Sequence, residues 1–351
     1  LNGVLENDVM KIRAKTVLLT LAAVLVLLVA GGLTAVGWEV VLGPKARPVS
    51  AQPFEVTAAR LERGRYLVEG PMHCFDCHTE HDLSTPTYPI LQARKGAGWV
   101  MPIPELNNIA ARNITPDVET GIGSWTDDEI ARAIREGVRK DGTALFPMMP
   151  YPDFQTLDDE DVAAIVVYLR TIPPIRNQVP ARALPFPLEY IVNTIPQPLA
   201  SDRAMPPRTS AVDRGRYMAT IAGCAGCHSG FDGGTPIAGR EFAGGTPFEF
   251  PGAPRVVSAN ITPHASGIAH YDEALFIQTL HTGRMGGRLL SYVMPFEFFQ
   301  HITDDDLRDL FAYLKTLTPI QHRVNNTDPP TPCAFCGTSH GLGNLNAAPA
   351  R

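Results

Sequence analysis

No block of lysines or arginines occurs anywhere in the 351 residues, and the formal charge is −6. A polyanionic partner needs a concentrated basic face, so nucleic acid is not an expected partner. Strict apolar–polar alternation, the mark of a half-buried strand, is nowhere as strong as the helical spacing described below. Cysteine is scarce and confined to three Cys-x-x-Cys pairs, Cys74/Cys77, Cys224/Cys227 and Cys333/Cys336. Pairs this close read as metal or redox chemistry before they read as a general disulfide framework. Charge is missing altogether from Thr16 to Gly37, a run of 22 residues.

That uncharged run is long enough to cross about 30 Å of hydrocarbon at about 1.5 Å per residue. Lys11, Arg13 and Lys15 precede it and Trp38 follows. Basic residues favour the cytoplasmic side and Trp the opposite interface, so residues 1–15 are expected in the cytoplasm and 16–41 as a single-pass anchor. A cleaved signal peptide is the alternative, with a shorter apolar region of about 7–15 residues. The residues before Met10 read as an upstream extension, with Met10 as the start.

The rest of the chain repeats itself once. Arg63-Gly64-Arg65-Tyr66 returns as Arg214-Gly215-Arg216-Tyr217, and Asn113-Ile114-Thr115-Pro116 returns as Asn260-Ile261-Thr262-Pro263. Met149 to Ile175 matches Met294 to Ile320 without a gap. These three landmarks and the Cys-x-x-Cys pairs Cys74/Cys77 and Cys224/Cys227, in one order, argue for a duplicated domain, over 57–176 and 211–322. Each copy reads as short helices between loops. Val162, Ile165, Val166 and Leu169, and likewise Leu307, Leu310, Phe311 and Leu314, follow helical spacing after acidic starts, with Thr303 as an N-cap. Thr126 and Glu129 have capping-box spacing ahead of Ile130, Ile134 and Val138. Gly64 and Gly215 fall inside the first helix of each copy, where Gly costs about 1 kcal/mol against Ala. Close packing on the last helix, near Tyr168 and Tyr313, would account for them; a chain turn is the alternative. Between the copies, 177–210 is a Pro-rich linker, and 323–351 is expected to be an irregular tail.

Each copy carries Cys-x-x-Cys-His: Cys74, Cys77 and His78, then Cys224, Cys227 and His228. Composition alone gives about 0.003 such matches in a chain of this length. Two thiols can add to the two vinyl groups of haem while the adjacent His offers a nitrogen to iron. A zinc site needs four ligands and each motif supplies at most three. A dithiol redox centre wants a βαβ context, which is missing. Two covalently bound haem c groups are therefore expected. Four Met-Pro pairs, at Met101, Met149, Met205 and Met294, offer sulfur for the far side of the iron. Only Met149 and Met294 sit at matching repeat positions, 71 residues after His78 and 66 after His228. They are the expected axial ligands beside His78 and His228, with the neighbouring Met148 as an alternative; Met101 reads as packing.

Each copy resembles a class I cytochrome c domain of the kind found in cytochrome c subunits of membrane-associated bacterial dehydrogenases for alcohols, aldehydes and gluconate. The residues that carry this are Cys74 to His78, Asn113 to Asp117, Gly121 to Thr126 and Met149 to Tyr151. In the second copy they are Cys224 to His228, Asn260 to Pro263, Gly267-Ile268 and Met294 to Phe296. The resemblance implies an all-α fold round each haem, with His and Met on opposite sides of the iron. It implies haem domains on the periplasmic side of the cytoplasmic membrane, since covalent haem is added there. It also implies redox partners: a dehydrogenase as donor, and an oxidase, a quinol-oxidising complex or a small soluble cytochrome. Those subunits typically carry three haem motifs, whereas two are complete here.

The third pair, Cys333-Ala334-Phe335-Cys336, is followed by Gly337 and not by His, so a third haem is not expected. In an oxidising compartment the reading is a short disulfide or structural pair. His340 is not expected to bind a ligand. His73, His81, His264, His270, His281, His301 and His322 are assigned to solvation, capping or propionate contacts. With no catalytic base standing out, the functional expectation is a membrane-anchored dihaem electron carrier, not an enzyme. A dihaem peroxidase or thiosulfate-oxidising enzyme, and a mainly structural docking subunit, are the alternatives.

Overall fold

The computed structural model describes residues 2–85, 87–200, 207–232, 235–249 and 254–347. Met205, one of the four Met-Pro candidates, lies outside them, as does part of the 177–210 linker. Helix α1 (Asn2–Val36) contains the window Arg13–Thr34, which is long and apolar enough to cross a membrane and is not covered by the rest of the protein. The segment expected as one span over 16–41 stops at Val36. Gly37, with φ +103°, turns the chain ahead of the short α2 (Glu39–Leu42).

The first domain is built from α3 (Ala58–Glu69), α4 (Cys74–His78), α5 (Asp127–Glu136), α6 (Tyr151–Phe154) and α7 (Asp159–Leu169). After α8 (Leu188–Ile191) in the linker, the second repeats the order as α9 (Ala211–Ile221), α10 (Cys224–His228), α11 (Glu273–Thr282), α12 (Phe296–Phe299) and α13 (Asp304–Leu314). Short antiparallel ribbons decorate the helices. They are β1 (Trp99–Val100) with β2 (Ala110–Ala111), β3 (Phe231–Asp232) with β4 (Thr235–Pro236), and β5 (Pro247–Phe248) with β6 (Val256–Val257). Two more are β7 (Arg284–Met285) with β8 (Arg288–Leu289) and β9 (Asn325–Pro332) with β10 (Ser339–Gly341). The last pair corrects the irregular tail expected over 323–351. Three prolines in β9 argue against a strand by composition, but a two-stranded ribbon leaves β9 an open edge where a missing N–H is tolerated.

The helix starts follow their sequence signals. Thr126 and Glu129 cap each other's backbone at α5, and Thr303 accepts the Asp306 N–H at α13. Helix α5 ends at Glu136, two residues short of the end of the expected stripe, because Gly137 adopts φ +71° over the Tyr151 ring; Val138 is still buried. In each domain the first helix crosses the last at glycine. A Cβ on Gly64 would lie 2.0 Å from the Ala164 carbonyl oxygen, and one on Gly215 1.8 Å from that of Asp309. The expected close packing beside Tyr168 and Tyr313 is what these glycines serve.

The two domains share one continuous core and a reciprocal polar contact. Tyr66 of α3 donates to Asp306 of α13, while Tyr217 of α9 donates to Asp161 of α7. These are equivalent residues of the repeat, so the domains meet through the same patch on each, as in an isologous dimer. Asp161 also accepts from Arg63 at 2.7 Å. A hydrogen bond to a buried charge contributes about 1.5–3 kcal/mol, so Tyr217→Phe should lower stability by that amount in denaturant titration. The linker packs on the first domain, where Leu184 and Val192 bury with Ile109 and Ala144; Met101 belongs to this small cluster. Arg47, between anchor and domain, bonds Asp128 and the buried Glu136 of α5 and fixes where the anchor leaves the domain.

Candidate functional site

A single helical turn holds both thiols and the imidazole of each motif. To enter that turn directly from the preceding helix, the residue before the first Cys must be left-handed. It is Gly223 (φ +65°) in the second domain and His73 (φ +36°) in the first. His73 is steadied by its Nδ1 contact to the Pro71 carbonyl and by the edge of Phe299 from the other domain. Burial pushes the Cys74 and Cys224 thiols up to about 12 and so disfavours their thiolates. Burial also raises Cys77, and Asp76 and Cys227 of the other motif add to the effect.

The imidazoles are oriented by backbone. His78 Nδ1 lies 2.6 Å from the Arg112 carbonyl oxygen, and His228 Nδ1 lies 2.7 Å from that of Ala259. A carbonyl only accepts, so Nδ1 carries the proton and Nε2 keeps its lone pair for a metal. Burial lowers both pKa values, against the opposing effect of that hydrogen bond, and so favours the neutral ligand form. The two carbonyls sit one residue before the Asn-Ile-Thr-Pro repeats. Buried Asn113 accepts the Thr115 N–H and hydroxyl at 2.9 and 2.7 Å and donates to the Ile175 carbonyl at 2.7 Å. Asn260 repeats these bonds with Thr262 and Ile320. The motif thus pins the histidine-orienting loop to the segment that follows the last helix. Sequence reasoning saw the repeat but not this task.

Met149 and Met294 lie just before α6 and α12, partly buried against the same apolar core as Cys74 and Cys224. Met148 is 38% exposed. Each domain therefore offers two thiols, one imidazole with a free Nε2 and a thioether against an apolar wall, a donor set that fits covalent haem. The expectation for Cys333 and Cys336 is a short disulfide or a structural pair. Both are separate thiols, and their sulfurs face His322 and His340, two residues the sequence had assigned elsewhere.

Residues 59–169 match the family described as "Cytochrome C oxidase, cbb3-type, subunit III", and residues 212–318 match "Cytochrome c". The chain is 29% identical over 314 residues to the alcohol dehydrogenase (quinone) cytochrome c subunit of Gluconobacter oxydans, covering 82% of this chain and 62% of that protein. It is 28% identical to the fructose dehydrogenase cytochrome subunit of Gluconobacter japonicus, over 81% of this chain and 59% of the relative. A diheme cytochrome c-type protein of Cereibacter sphaeroides is 26% identical, over 78% of this chain and 92% of its own length. The chain spans about three fifths of the dehydrogenase subunits it matches. Its repeat is a pair of tandem cytochrome c domains, and with them come two covalently bound haem c groups.

Proposed function

We propose that this chain is a membrane-anchored electron-transfer subunit that carries single electrons between a dehydrogenase and a respiratory acceptor. Cys74, Cys77, Cys224 and Cys227 would form the thioethers, with His78 and Met149, then His228 and Met294, as axial ligands. A bound haem c supplies one-electron ferric–ferrous chemistry, and His/Met ligation raises its potential. The observation that carries this reading is the doubling of one complete donor set in two domains that share one continuous core. The Arg112 and Ala259 carbonyls hold each imidazole in one orientation, so little has to move when the charge changes. Tyr66–Asp306 and Tyr217–Asp161 hold the two domains in register, which keeps the path between them fixed.

The names of the relatives support a dehydrogenase as the donor, and the α1 window supports an anchor with Arg13 and Lys15 on the cytoplasmic side. The test is fractionation of membranes from cells that mature c-type cytochromes. The protein should stay in the pellet after an alkaline carbonate wash with two haems per chain. It should leave the pellet once residues 1–41 are replaced by a cleaved signal peptide. Both haems should reduce without binding carbon monoxide. A protein released by carbonate would remove the anchor from this reading, and carbon monoxide binding by the ferrous protein would turn it towards an enzyme.

A further inference from the structure

The duplication provides an internal control at the position eight residues beyond each last helix. In the first domain it is Asn177, whose Nδ2 donates to the carbonyls of Ala97 and Gly98 at 2.9 and 3.1 Å. At the equivalent place in the second domain stands His322, whose Nδ1 bonds the Ala243 carbonyl at 2.7 Å. The structural bond is kept, but histidine brings a second nitrogen that Asn lacks. That Nε2 lies 3.3 Å from His340 Nε2 and 3.5 Å from Cys333 Sγ. With Cys336, the four ligand atoms lie within 4.8 Å of one another. His322, Cys333 and His340 are buried.

We propose that His322 Nε2, Cys333 Sγ, Cys336 Sγ and His340 Nε2 form a structural Cys2His2 zinc site that fastens the C-terminal hairpin to the second domain. A tetrahedral ion with Zn–N near 2.05 Å and Zn–S near 2.3 Å sets two nitrogens about 3.3 Å apart and nitrogen from sulfur about 3.5 Å apart. The two separations found here have those values. Soft thiolates with imidazoles in a closed tetrahedron select zinc over magnesium or calcium. Two thiols give up their protons on binding, and two thiolates with Zn2+ leave the buried site neutral.

The surroundings are those of a built site. The turn between β9 and β10 is a tight knuckle: Cys333 N–H donates to the Thr338 carbonyl at 3.1 Å, and Gly337 N–H to the Cys333 carbonyl at 3.0 Å. Gly337 has φ +75°. His340 Nδ1 is held by the Gly341 carbonyl, so the Nδ1 of each histidine is tied to backbone and its Nε2 is turned inward. Phe335 stacks on His322 with ring centroids 4.5 Å apart. A Cβ on Gly245 would come within 2.7 Å of Cys336 Cβ, so the domain approaches the knuckle through a glycine.

The test uses the full chain with both haems attached, purified in detergent without chelator. Elemental analysis should give one zinc for every two irons. Denaturation in chelator without reductant should expose two cysteines to alkylation, since the other four carry haem. Zinc bound to His340→Ala should fall by about tenfold or more, with iron unchanged at two per chain. Two results would overturn the proposal. One is a protein without zinc whose Cys333 and Cys336 resist alkylation as a disulfide, or whose reduced thiols fail to take up zinc from one added equivalent. The other is wild-type zinc content in both His340→Ala and Cys333→Ser.

Discussion

Met149→Ala and Met294→Ala should each remove half of the far-red sulfur-to-iron absorption of the oxidised protein, and the double variant should remove all of it. The altered haem should also fall in midpoint potential by on the order of 100 mV or more, because a thioether favours the ferrous state and its loss does not. The two residues are singled out by placement as well as by the repeat. Each closes the loop ahead of a short helix, α6 or α12, and each packs against the core that holds the first cysteine of its own motif. Met148 points outward, and Met101 is committed to the Leu184–Val192 cluster. Met148→Ala and Met101→Ala should therefore leave band and potentials unchanged. Half the band lost in Met148→Ala with none lost in Met149→Ala would move the ligand by one residue. Carbon monoxide should bind the ferrous single variants at one haem per chain.

Much of this architecture can be read from the chain because its signals are local. Cys-x-x-Cys-His places three groups on one helical turn, and the Thr126–Glu129 box closes within a single turn. What could not be read depends on residues far apart. The carbonyls that orient His78 and His228 come from residues 34 and 31 positions away, and a carbonyl has no sequence signature. The reciprocal tyrosines look like ordinary half-buried aromatics until Asp161 and Asp306 are brought to them by the other domain. Cys333 and Cys336 read as a short disulfide or structural pair from their own spacing, which does not reveal what the fold brings to them. His322 arrives from the end of the second domain and His340 from the returning strand of a proline-rich hairpin. The same separation hid β9, whose prolines are compatible with an edge and with nothing else in a sheet.

Gly64→Ala and Gly215→Ala should each destabilise their domain by about 3 kcal/mol, near the upper end for overpacking, although Ala is the better helix former by about 1 kcal/mol. The added methyl meets backbone. It would stand 2.0 Å from the Ala164 oxygen and 2.7 Å from Tyr168 Cβ at the first crossing, and 1.8 Å from the Asp309 oxygen and 2.8 Å from Tyr313 Cβ at the second. A carbonyl inside a helix cannot rotate aside, so α3 must lift from α7, or α9 from α13, along the whole contact. That contact buries Leu67, Val68, Ile165 and Val166 in the first domain and Ile221, Leu307 and Leu310 in the second, so partial separation exposes the core beneath. A loss of about 3 kcal/mol corresponds to a fall in midpoint temperature on the order of 10 °C, read separately for each domain through its own haem. Gly287→Ala, with nothing within 4 Å of the new methyl, is the control and should stay within about 0.5 kcal/mol of wild type. Equal stability of Gly215→Ala and Gly287→Ala would mean that the helices of the second domain have room to part. The glycine would then no longer explain how the first and last helices come so close.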